Sequence, residues 1–375
     1  MTRHSSATRP RGFSLVEFMV AITLALVVTA GVISVFVGSR SAFNATSGTA
    51  AVSDSGRFAL TFLENAVRDT GNMACGSTLR TTLNVNFEPT PLAYTAGPAP
   101  ALLFQPMGGY EAANTSPGNT YAVSLAGGAL GDWASFTTAL DGAFSTLPAA
   151  AFPIVNNDIL VTRSSTQGAQ PAYVTALSAT TVTVDTNPAG ELVAPQMAII
   201  SDCAKSVVFQ ISSMAGNTIT ISTGGSPGNL SSGFPSQISF ATGSQVTPLQ
   251  TSVYFIALGA DGDGALFTAT VPSSNSLLNT YTELVPDIEA MQILYGLDTT
   301  GSQTVSEYVT ANQVQDFTQV MSVKIALLAA SPPGLGTKPA AAVTYNLLGT
   351  LVTSPPDNRT RQVFEATIAA RNDLP

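Results

Sequence analysis

Few residues in this sequence could take part in acid–base, nucleophilic or metal chemistry. Its 375 residues include one histidine, His4, and two cysteines, Cys75 and Cys203. His4 lies in a short basic segment that we expect to be removed, which leaves no histidine for a serine or cysteine triad, an HExxH metal site or a zinc finger. No spacing of the acidic residues indicates catalysis by carboxylates alone. The sequence therefore predicts that the protein is not an enzyme and uses no cofactor.

Two carboxylates lie close together in Asp261-Gly-Asp-Gly264. Clustered carboxylate oxygens on a glycine-rich loop suit calcium, so Asp261 and Asp263 are weak candidates for a calcium site. Asp-Gly is also favoured in hairpin turns because of its left-handed backbone conformation. Since no bidentate glutamate follows at EF-hand spacing, a plain turn without a metal is the preferred interpretation.

Cys75 and Cys203 are predicted to form a disulfide, because an exported chain with a cysteine pair more often oxidises it than keeps two thiols. Two buried free thiols are the alternative. A bridge between these positions would close a long loop, and loop-closure entropy then gives a stabilisation of at most about 5 kcal/mol.

Glu17 stands at the head of a long apolar run. No charged residue occurs from Phe18 to Val37, and a helix of this length spans about 30 Å, the thickness of a bilayer core. Three basic residues, Arg3, Arg9 and Arg11, precede the run, which predicts that the N-terminus is cytoplasmic and the remainder lies outside.

The apolar run is longer than that of an ordinary secretory signal, and no small-residue cleavage site ends it. We therefore expect residues 18–37 to remain as a transmembrane segment. A plain single-span anchor is the alternative, but it would leave the cost of Glu17 at the hydrocarbon edge unexplained.

Residues 9–21, Arg-Pro-Arg-Gly-Phe-Ser-Leu-Val-Glu-Phe-Met-Val-Ala, resemble the class III signal of type IV pilin and pseudopilin precursors. The resemblance implies that residues 1–12 are a leader, that a prepilin peptidase cleaves between Gly12 and Phe13, and that the new N-terminus is methylated. It also implies that Glu17 neutralises the N-terminal amine of a neighbouring subunit during assembly. The alternative for Glu17 is a carboxylate that snorkels to the membrane interface.

The helical pattern continues beyond the apolar run and predicts one helix over residues 13–72, ending near Gly71. Gly48 and Gly56 should mark its weakest section, because each glycine costs about 1 kcal/mol relative to alanine. In the second half, one apolar face is predicted to pack on a globular domain. Its members are Phe58, Phe62 and Ala66, beside Leu63 and Val67.

The remainder, residues 73–375, is predicted to be a β-rich domain. Residues 89–157 carry little charge and are rich in Pro, Gly, Ala and Thr, which predicts an inserted surface lobe with little regular structure. From residue 158 onward, β-branched runs separated by turn residues predict antiparallel strands. The predicted strands are 158–163, 181–184, 197–201, 207–211, 218–222, 253–257, 266–270, 291–295, 320–328 and 363–368. The fold class is therefore α+β, a long N-terminal helix packed on a mainly antiparallel sheet.

The second half also resembles PilW-type minor pilins. The similar segments are 285–298, 320–328 and 361–372, and Cys75 and Cys203 occupy the positions of that family's cysteine pair. Two features depart from the pattern: Phe317 stands where a tryptophan is common, and residues 89–157 match nothing in the family.

The resemblance implies a minor pilin that primes pilus assembly and forms part of a tip complex. Its partners would be other minor pilins, the major pilin and a tip adhesin. The head domain would lie in the periplasm on an inner-membrane anchor and then on the filament. A minor pseudopilin of a type II secretion system is the alternative. Nucleic acid is not expected as a partner, because the formal net charge is −9 and the leader holds three of the basic residues.

Overall fold

The structure is a computed structural model of the whole chain. It describes residues 12, 14–75, 81–83, 93–94, 103–135, 147–148, 151–166, 168–187, 190–224, 228–234, 238–271, 280–336 and 341–370. Phe13 and residues 1–11, which belong to the predicted leader and its cleavage site, lie outside this set.

A single helix, α1, runs from Leu15 to Asp69, close to the predicted bounds. The side chain of Ser14 caps its start by accepting a hydrogen bond from the backbone N–H of Glu17 at 3.2 Å. The helix ends at Thr70, and the next residue, Gly71, adopts φ +76° and donates its N–H to the carbonyl of Arg163. A left-handed glycine is the usual way to stop a helix, and here it also joins the helix end to a strand.

The buried face of α1 differs from the predicted one. Phe58 and Phe62 are 61% and 43% exposed, so the expectation that they pack inward is wrong. The buried helix residues are Gly48, Val52, Gly56, Ala59, Leu63, Ala66 and Val67, which recur at helical spacing.

Gly48 and Gly56 set this orientation of the helix. A Cβ at Gly48 would lie 2.7 Å from the carbonyl oxygen of Leu335, and a Cβ at Gly56 would overlap the ring of Phe364. The two glycines are therefore the points of closest approach between helix and sheet, and the helix continues through both.

The described strands in the first part of the chain are short. They are β1 Thr81–Leu83, β2 Ala93–Tyr94, β3 Leu103–Phe104, β4 Met107–Ala112, β5 Thr120–Ala122, β6 Trp133–Ala134, β7 Ile159–Ser165, β8 Ala172–Leu177, β9 Thr181–Val184, β10 Met197–Ser201, β11 Ser206–Gln210, β12 Ser213–Ala215 and β13 Thr218–Thr220.

The later strands are longer. They are β14 Gln245–Leu258, β15 Gly264–Val271, β16 Thr280–Val285, β17 Ile288–Leu297, β18 Glu307–Val309, β19 Val320–Ala330, β20 Thr344–Leu347, β21 Thr350–Thr353 and β22 Arg361–Ala369. Every predicted strand overlaps one of these elements. Short 3₁₀ turns occur at Leu130–Asp132, Ala311–Gln313 and Phe317–Gln319.

The described strands form three sheets. The largest has a path β12-β13-β9-β8-β14-β10-β11-β1-β3-β2, to which β15, β16, β4, β6 and β7 are joined. A four-stranded antiparallel sheet has the order β18-β17-β19-β22, and a small sheet has the order β20-β21-β5. Only the β1–β11 and β21–β5 pairs are parallel among the described strands. The predicted α+β class with a mainly antiparallel sheet is confirmed.

The main core lies between α1 and the four-stranded sheet. Val52, Leu63 and Val67 of the helix pack with apolar residues of β17, β19 and β22. The helix makes its most extensive contact with β22 and the next with β19. Burial of these side chains stabilises the arrangement by about 25 cal/mol per Å² of apolar surface removed from water.

The stretch predicted as a surface lobe contributes to the core. All six residues of β4 are buried, and β4 pairs with β7 in register Met107↔Thr162 to Tyr110↔Ile159. Trp133, also in this stretch, is 1% exposed and packs against Phe152. The expectation of little regular structure is therefore wrong for Met107–Ala112, whereas residues 113–119 and 123–129 form neither helix nor strand. The calls on 89–92, 95–102, 136–146 and 149–150 lie outside the described residues.

Candidate functional site

The N-terminal end of α1 holds the residues predicted to act in processing and assembly. Gly12 and Glu17 are exposed, and Phe13 lies outside the described residues. Glu17 lies in the first helical turn, where the positive end of the helix dipole favours a carboxylate. Of the described residues, none forms a hydrogen bond or an ion pair with the Glu17 carboxylate. Its side chain is therefore available to another molecule.

The helix that carries Glu17 is apolar enough to cross a membrane. A window of 18 residues near the N-terminus has a mean hydropathy of 2.6, and none of it is buried in the protein. The exposed apolar side chains of the helix include Leu15, Phe18, Leu26 and Phe36. Such a surface requires lipid or other helices around it, since water would solvate it poorly.

Cys75 and Cys203 form a disulfide, with their Cα atoms 4.6 Å apart, so the predicted bridge is confirmed. Cys75 follows the end of α1, and Cys203 lies in the turn between β10 and β11, where its φ is +67°. The hydroxyl of Ser201 lies 3.7 Å from the Cys75 sulfur and accepts the backbone N–H of Cys203. The bridge therefore links the helix end to the largest sheet.

Asp261 and Asp263 lie in the turn between β14 and β15, near Asp287 at the start of β17. One oxygen from each carboxylate lies within 4.8 Å of the others. The guanidinium of Arg359 donates to Asp263 at 2.8 Å and to Asp287 at 2.7 Å. Arg359 thus supplies a positive charge at the place where a calcium ion would supply one. Gly262 has φ +86° and Asp261 accepts the N–H of Asp263, features that a plain hairpin turn requires.

Burial raises the pKa of Asp287 to about 6. Arg359 acts in the opposite direction, while Asp261, Asp263 and Glu289 raise the pKa further. The ion pairs of Arg359 with Asp263 and Asp287 therefore connect the segment before β22 to the β14–β15 turn and to the start of β17.

A second buried ion network lies beside this one, and the sequence reading missed it. Arg361 forms two hydrogen bonds with Glu289, at 2.6 and 2.9 Å, and two with Asp357, at 2.6 and 2.7 Å. The side chains of Arg361 and Glu289 are 2% and 4% exposed. The alternation Asp287-Ile-Glu289 and Arg359-Thr-Arg361 is the signal that could have indicated facing charges.

A third polar cluster joins the large sheet to the four-stranded sheet. Asp158 is buried and accepts the backbone N–H groups of Ala112, on β4, and Ile293, on β17, at 3.0 and 2.8 Å. Its neighbour Asn157 accepts the N–H of Met291 at 2.8 Å. The side chains of Asn157 and Asp158 therefore accept β17 backbone N–H groups that a neighbouring strand would otherwise bind. Trp133 Nε1 donates a hydrogen bond to the backbone carbonyl of Asn157.

Glu111, also buried, lies near Asp158. One carboxylate oxygen accepts from the hydroxyls of Ser116 and Thr115, at 3.0 and 3.4 Å, while the other has no hydrogen-bond partner among the described residues. Burial raises the pKa of Glu111 to about 7, against the lowering effect of those two hydroxyls. Burial, and then the charge of Glu111, raise the pKa of Asp158 well above its usual value.

Two family models match this chain. Type IV Pilus-assembly protein W matches residues 253–372, and the Prokaryotic N-terminal methylation motif matches residues 8–33. The resemblance to PilW-type pilins is confirmed. No curated protein sequence matches the chain significantly.

The PilW-type segment contains the four-stranded sheet on which α1 packs, together with both arginine networks. Phe317, at the position where tryptophan is common, is buried and meets Tyr295 edge to face at 5.3 Å. The phenylalanine ring therefore provides an aromatic contact with Tyr295 at this position. The methylation motif covers Gly12, Glu17 and the first part of the apolar helix. Such a motif is consistent with processing by a prepilin peptidase and with an inner-membrane anchor, and the PilW match relates the chain to other pilus components.

Proposed function

We propose that this chain is a minor pilin, a non-catalytic subunit that primes assembly of a type IV pilus and takes a place in its tip complex. The observation that carries this proposal is the position of Glu17. Its carboxylate is exposed within a matched methylation motif, on a helix that packs against a sheet of the PilW-type segment. Each of these features has a role in assembly, and together they assign no reaction to the chain.

Processing is the first step of the proposal. A prepilin peptidase cleaves between Gly12 and Phe13, and the new N-terminal amine is methylated. Gly12 is exposed and lies before the helix cap at Ser14, so the peptide bond precedes regular structure. A bond before the helix cap is more accessible to a protease than a bond inside α1.

Assembly is the second step. The apolar half of α1 leaves the inner membrane and enters the filament among the helices of other subunits, and Glu17 pairs with the N-terminal amine of a neighbour. A charge pair of this kind in an apolar environment is specific, because either charge alone would be buried without a partner. The Glu17 pair therefore favours one axial alignment of neighbouring subunits over others.

The third element is the sheet region, which acts as a periplasmic head and then as part of the filament. Other minor pilins, the major pilin and a tip adhesin are its partners in this proposal. The helix is continuous from Leu15 to Asp69, and the Cys75–Cys203 disulfide ties its end to the largest sheet. The head and the anchor therefore move together.

Complementation of a deletion strain tests the proposal. Wild type should restore surface pili, Gly12→Ala should leave the chain uncleaved and unassembled, and Glu17→Ala should be cleaved but fail to assemble. Glu64→Ala is the matched control, because Glu64 lies on the same helix in an exposed pair with Arg68 and should restore pili fully.

Mass and immunoblot analysis of membranes and sheared pili gives the readout. Full piliation with an uncleaved chain would overturn the proposal, as would normal piliation in the deletion strain. Loss of protein secretion with intact pili would instead assign the chain to a type II secretion pseudopilus.

A further inference from the structure

The last strand of the four-stranded sheet, β22, has an open edge. It pairs with β19 over nine residues, from Arg361↔Ala330 to Ala369↔Ser322, without any change of register. On its other side it pairs with none of the strands that the structure describes. The edge is therefore a long, regular row of backbone groups that no described strand covers.

The hydrogen bonds at the two ends of β22 determine which groups face outward. The N–H of Ser331 donates to the carbonyl of Thr360 at 2.8 Å, and the N–H of Ala370 donates to the carbonyl of Met321 at 2.9 Å. Because bonded and non-bonded pairs alternate in an antiparallel ladder, even-numbered residues of β22 bond to β19. The residues whose N–H and C=O groups point away from the sheet are Val363, Glu365, Thr367 and Ala369.

Both faces of β22 are in contact with other elements, while its outer edge pairs with no strand in the described part of the chain. Phe364 and Ile368 pack towards α1 on one face, and Val363 packs with Leu347 of β20 on the other. Further along, Glu365, Thr367 and Ala369 are exposed. This part of the strand is therefore accessible to another polypeptide without movement of the helix.

The usual protections of an edge strand are largely missing from β22. Proteins discourage edge-to-edge pairing with proline, lysine, β-bulges or very short edge strands. Residues 362–369 contain no proline, glycine or lysine, and Glu365 is their only charged residue. An unprotected edge of this length is a site for strand addition, in which the backbone gives affinity and alternate side chains give specificity.

We propose that the edge of β22 between Val363 and Ala369 binds an extended strand from a different membrane-anchored subunit of the same filament. The inference rests on the proposed function, since that function brings heads of different subunits side by side. A row of N–H and C=O groups at strand spacing matches another extended backbone, which can replace the water on all of them at once.

Charge argues for a different subunit over a second copy. In a symmetrical antiparallel pair of two β22 strands, the two Glu365 side chains lie directly opposite when the axis is at Glu365 and are diagonal neighbours when it is at Ala366. Like charges at neighbouring positions disfavour the pair. A partner strand with lysine or arginine opposite Glu365 would be favoured instead. The proposed occupant is therefore a strand with a basic residue at that position.

Thr367→Pro tests the edge without disturbing the sheet. Since the N–H of Thr367 points outward, proline there removes a donor to the partner but no hydrogen bond to β19, and edge strands tolerate such a proline. Thr367→Val keeps the donor and is the matched control. Ala366→Pro would remove a bond to β19 and provides the reference for a damaged fold.

Amide hydrogen exchange on the full chain in membranes gives the readout. The chain is co-expressed in turn with each subunit of its own organism that carries an N-terminal methylation motif. With one of them, the amides of Glu365, Thr367 and Ala369 should exchange at least about tenfold more slowly than in the chain alone. The even-numbered amides should be protected in both samples, and Thr367→Pro should show no such slowing with the same partner while it unfolds at the wild-type temperature.

The outcomes separate this inference from the proposed function. Absence of slowing with every co-expressed subunit overturns strand addition, and slowing in the chain alone at raised concentration replaces the partner with a second copy. If deletion abolishes pili and Thr367→Pro restores them fully, strand addition fails while the pilin function stands. If deletion leaves pili intact, the pilin function itself fails.

Discussion

Gly56 of α1 lies against the ring of Phe364 on β22, so closely that a Cβ at position 56 would overlap three ring atoms. The helix therefore approaches the sheet at a distance that no residue other than glycine permits. This contact and the one between Gly48 and Leu335 decide which side of the helix is buried, and they leave Phe58 and Phe62 outside.

Gly56→Ala should destabilise the protein although alanine is the better helix former. Overpacking costs about 1–3 kcal/mol, against a gain of about 1 kcal/mol in helix propensity. We expect a net loss of about 1–2 kcal/mol in the free energy of unfolding. Urea denaturation of the full chain in detergent, followed by fluorescence of the buried Trp133, measures it. Asn65→Ala, at an exposed position on the same helix, is the control and should be neutral or slightly stabilising.

Loss of the Cys75–Cys203 bridge should destabilise the protein by about 2–5 kcal/mol, because the bridge closes a loop with a sequence separation of 128 residues. Cys75→Ser, Cys203→Ser and the double variant should have the same stability, since each removes the same bond. The midpoints of urea unfolding under oxidising conditions test this. A double variant as stable as wild type would contradict the expectation.

Arg361→Met should be more harmful than a surface substitution, because it leaves the buried carboxylate of Glu289 without its two hydrogen bonds. Removal of one partner from a buried pair costs about 3–5 kcal/mol. Arg361→Lys should recover only part of the loss, since lysine cannot form the bidentate contact. Arg68→Met is the control, because its pair with Glu64 is exposed, and the expected change is under about 1 kcal/mol.

Glu111 should make stability depend on pH. The pKa of its carboxyl is about 7 in the folded chain against an ordinary value of 4.5, so the folded state holds a proton that the unfolded state has lost between these values. This contribution is fully present below pH 4.5 and is lost as pH rises through 7, a decrease of up to about 3 kcal/mol.

Glu111→Gln tests the effect, because glutamine stays neutral and can accept from Ser116 and Thr115. The difference in unfolding free energy between wild type and Glu111→Gln should shift in favour of the variant as pH rises from 4.5 to 8. A difference that stays constant over this range would show that Glu111 does not titrate in it.

The sequence is enough to predict the long helix, its exposed apolar first part, the later strands and the disulfide. These features depend on local signals: an uninterrupted apolar run, β-branched runs such as Val320–Leu328, and a cysteine pair in an exported chain. Gly12 and Glu17 lie in one short motif, and their roles in processing and assembly stay predictions.

Other features depend on contacts between distant segments. Met107–Ala112 is a buried strand, but Gly108 and Gly109 give it no β-branched pattern. Glycine is needed at position 109 because a Cβ there would overlap the Tyr295 hydroxyl. The link from Asp158 to Ile293 spans 135 residues and has no local signal. The spacing of Phe58 and Phe62 is typical of core residues. The close contact of Gly56 with Phe364 orients the helix so that both phenylalanines are exposed.

The 55-residue helix is about 80 Å long and has no loop between its membrane end and its head end. Tension applied between the two ends of the helix would therefore travel along an unbroken row of backbone hydrogen bonds. At the far end of the helix, just beyond Thr70, the Cys75–Cys203 bond transfers the load to the β10–β11 turn through a covalent link. Under tension, the head would be held to the helix both by this bond and by the packing of the helix between Gly48 and Val67.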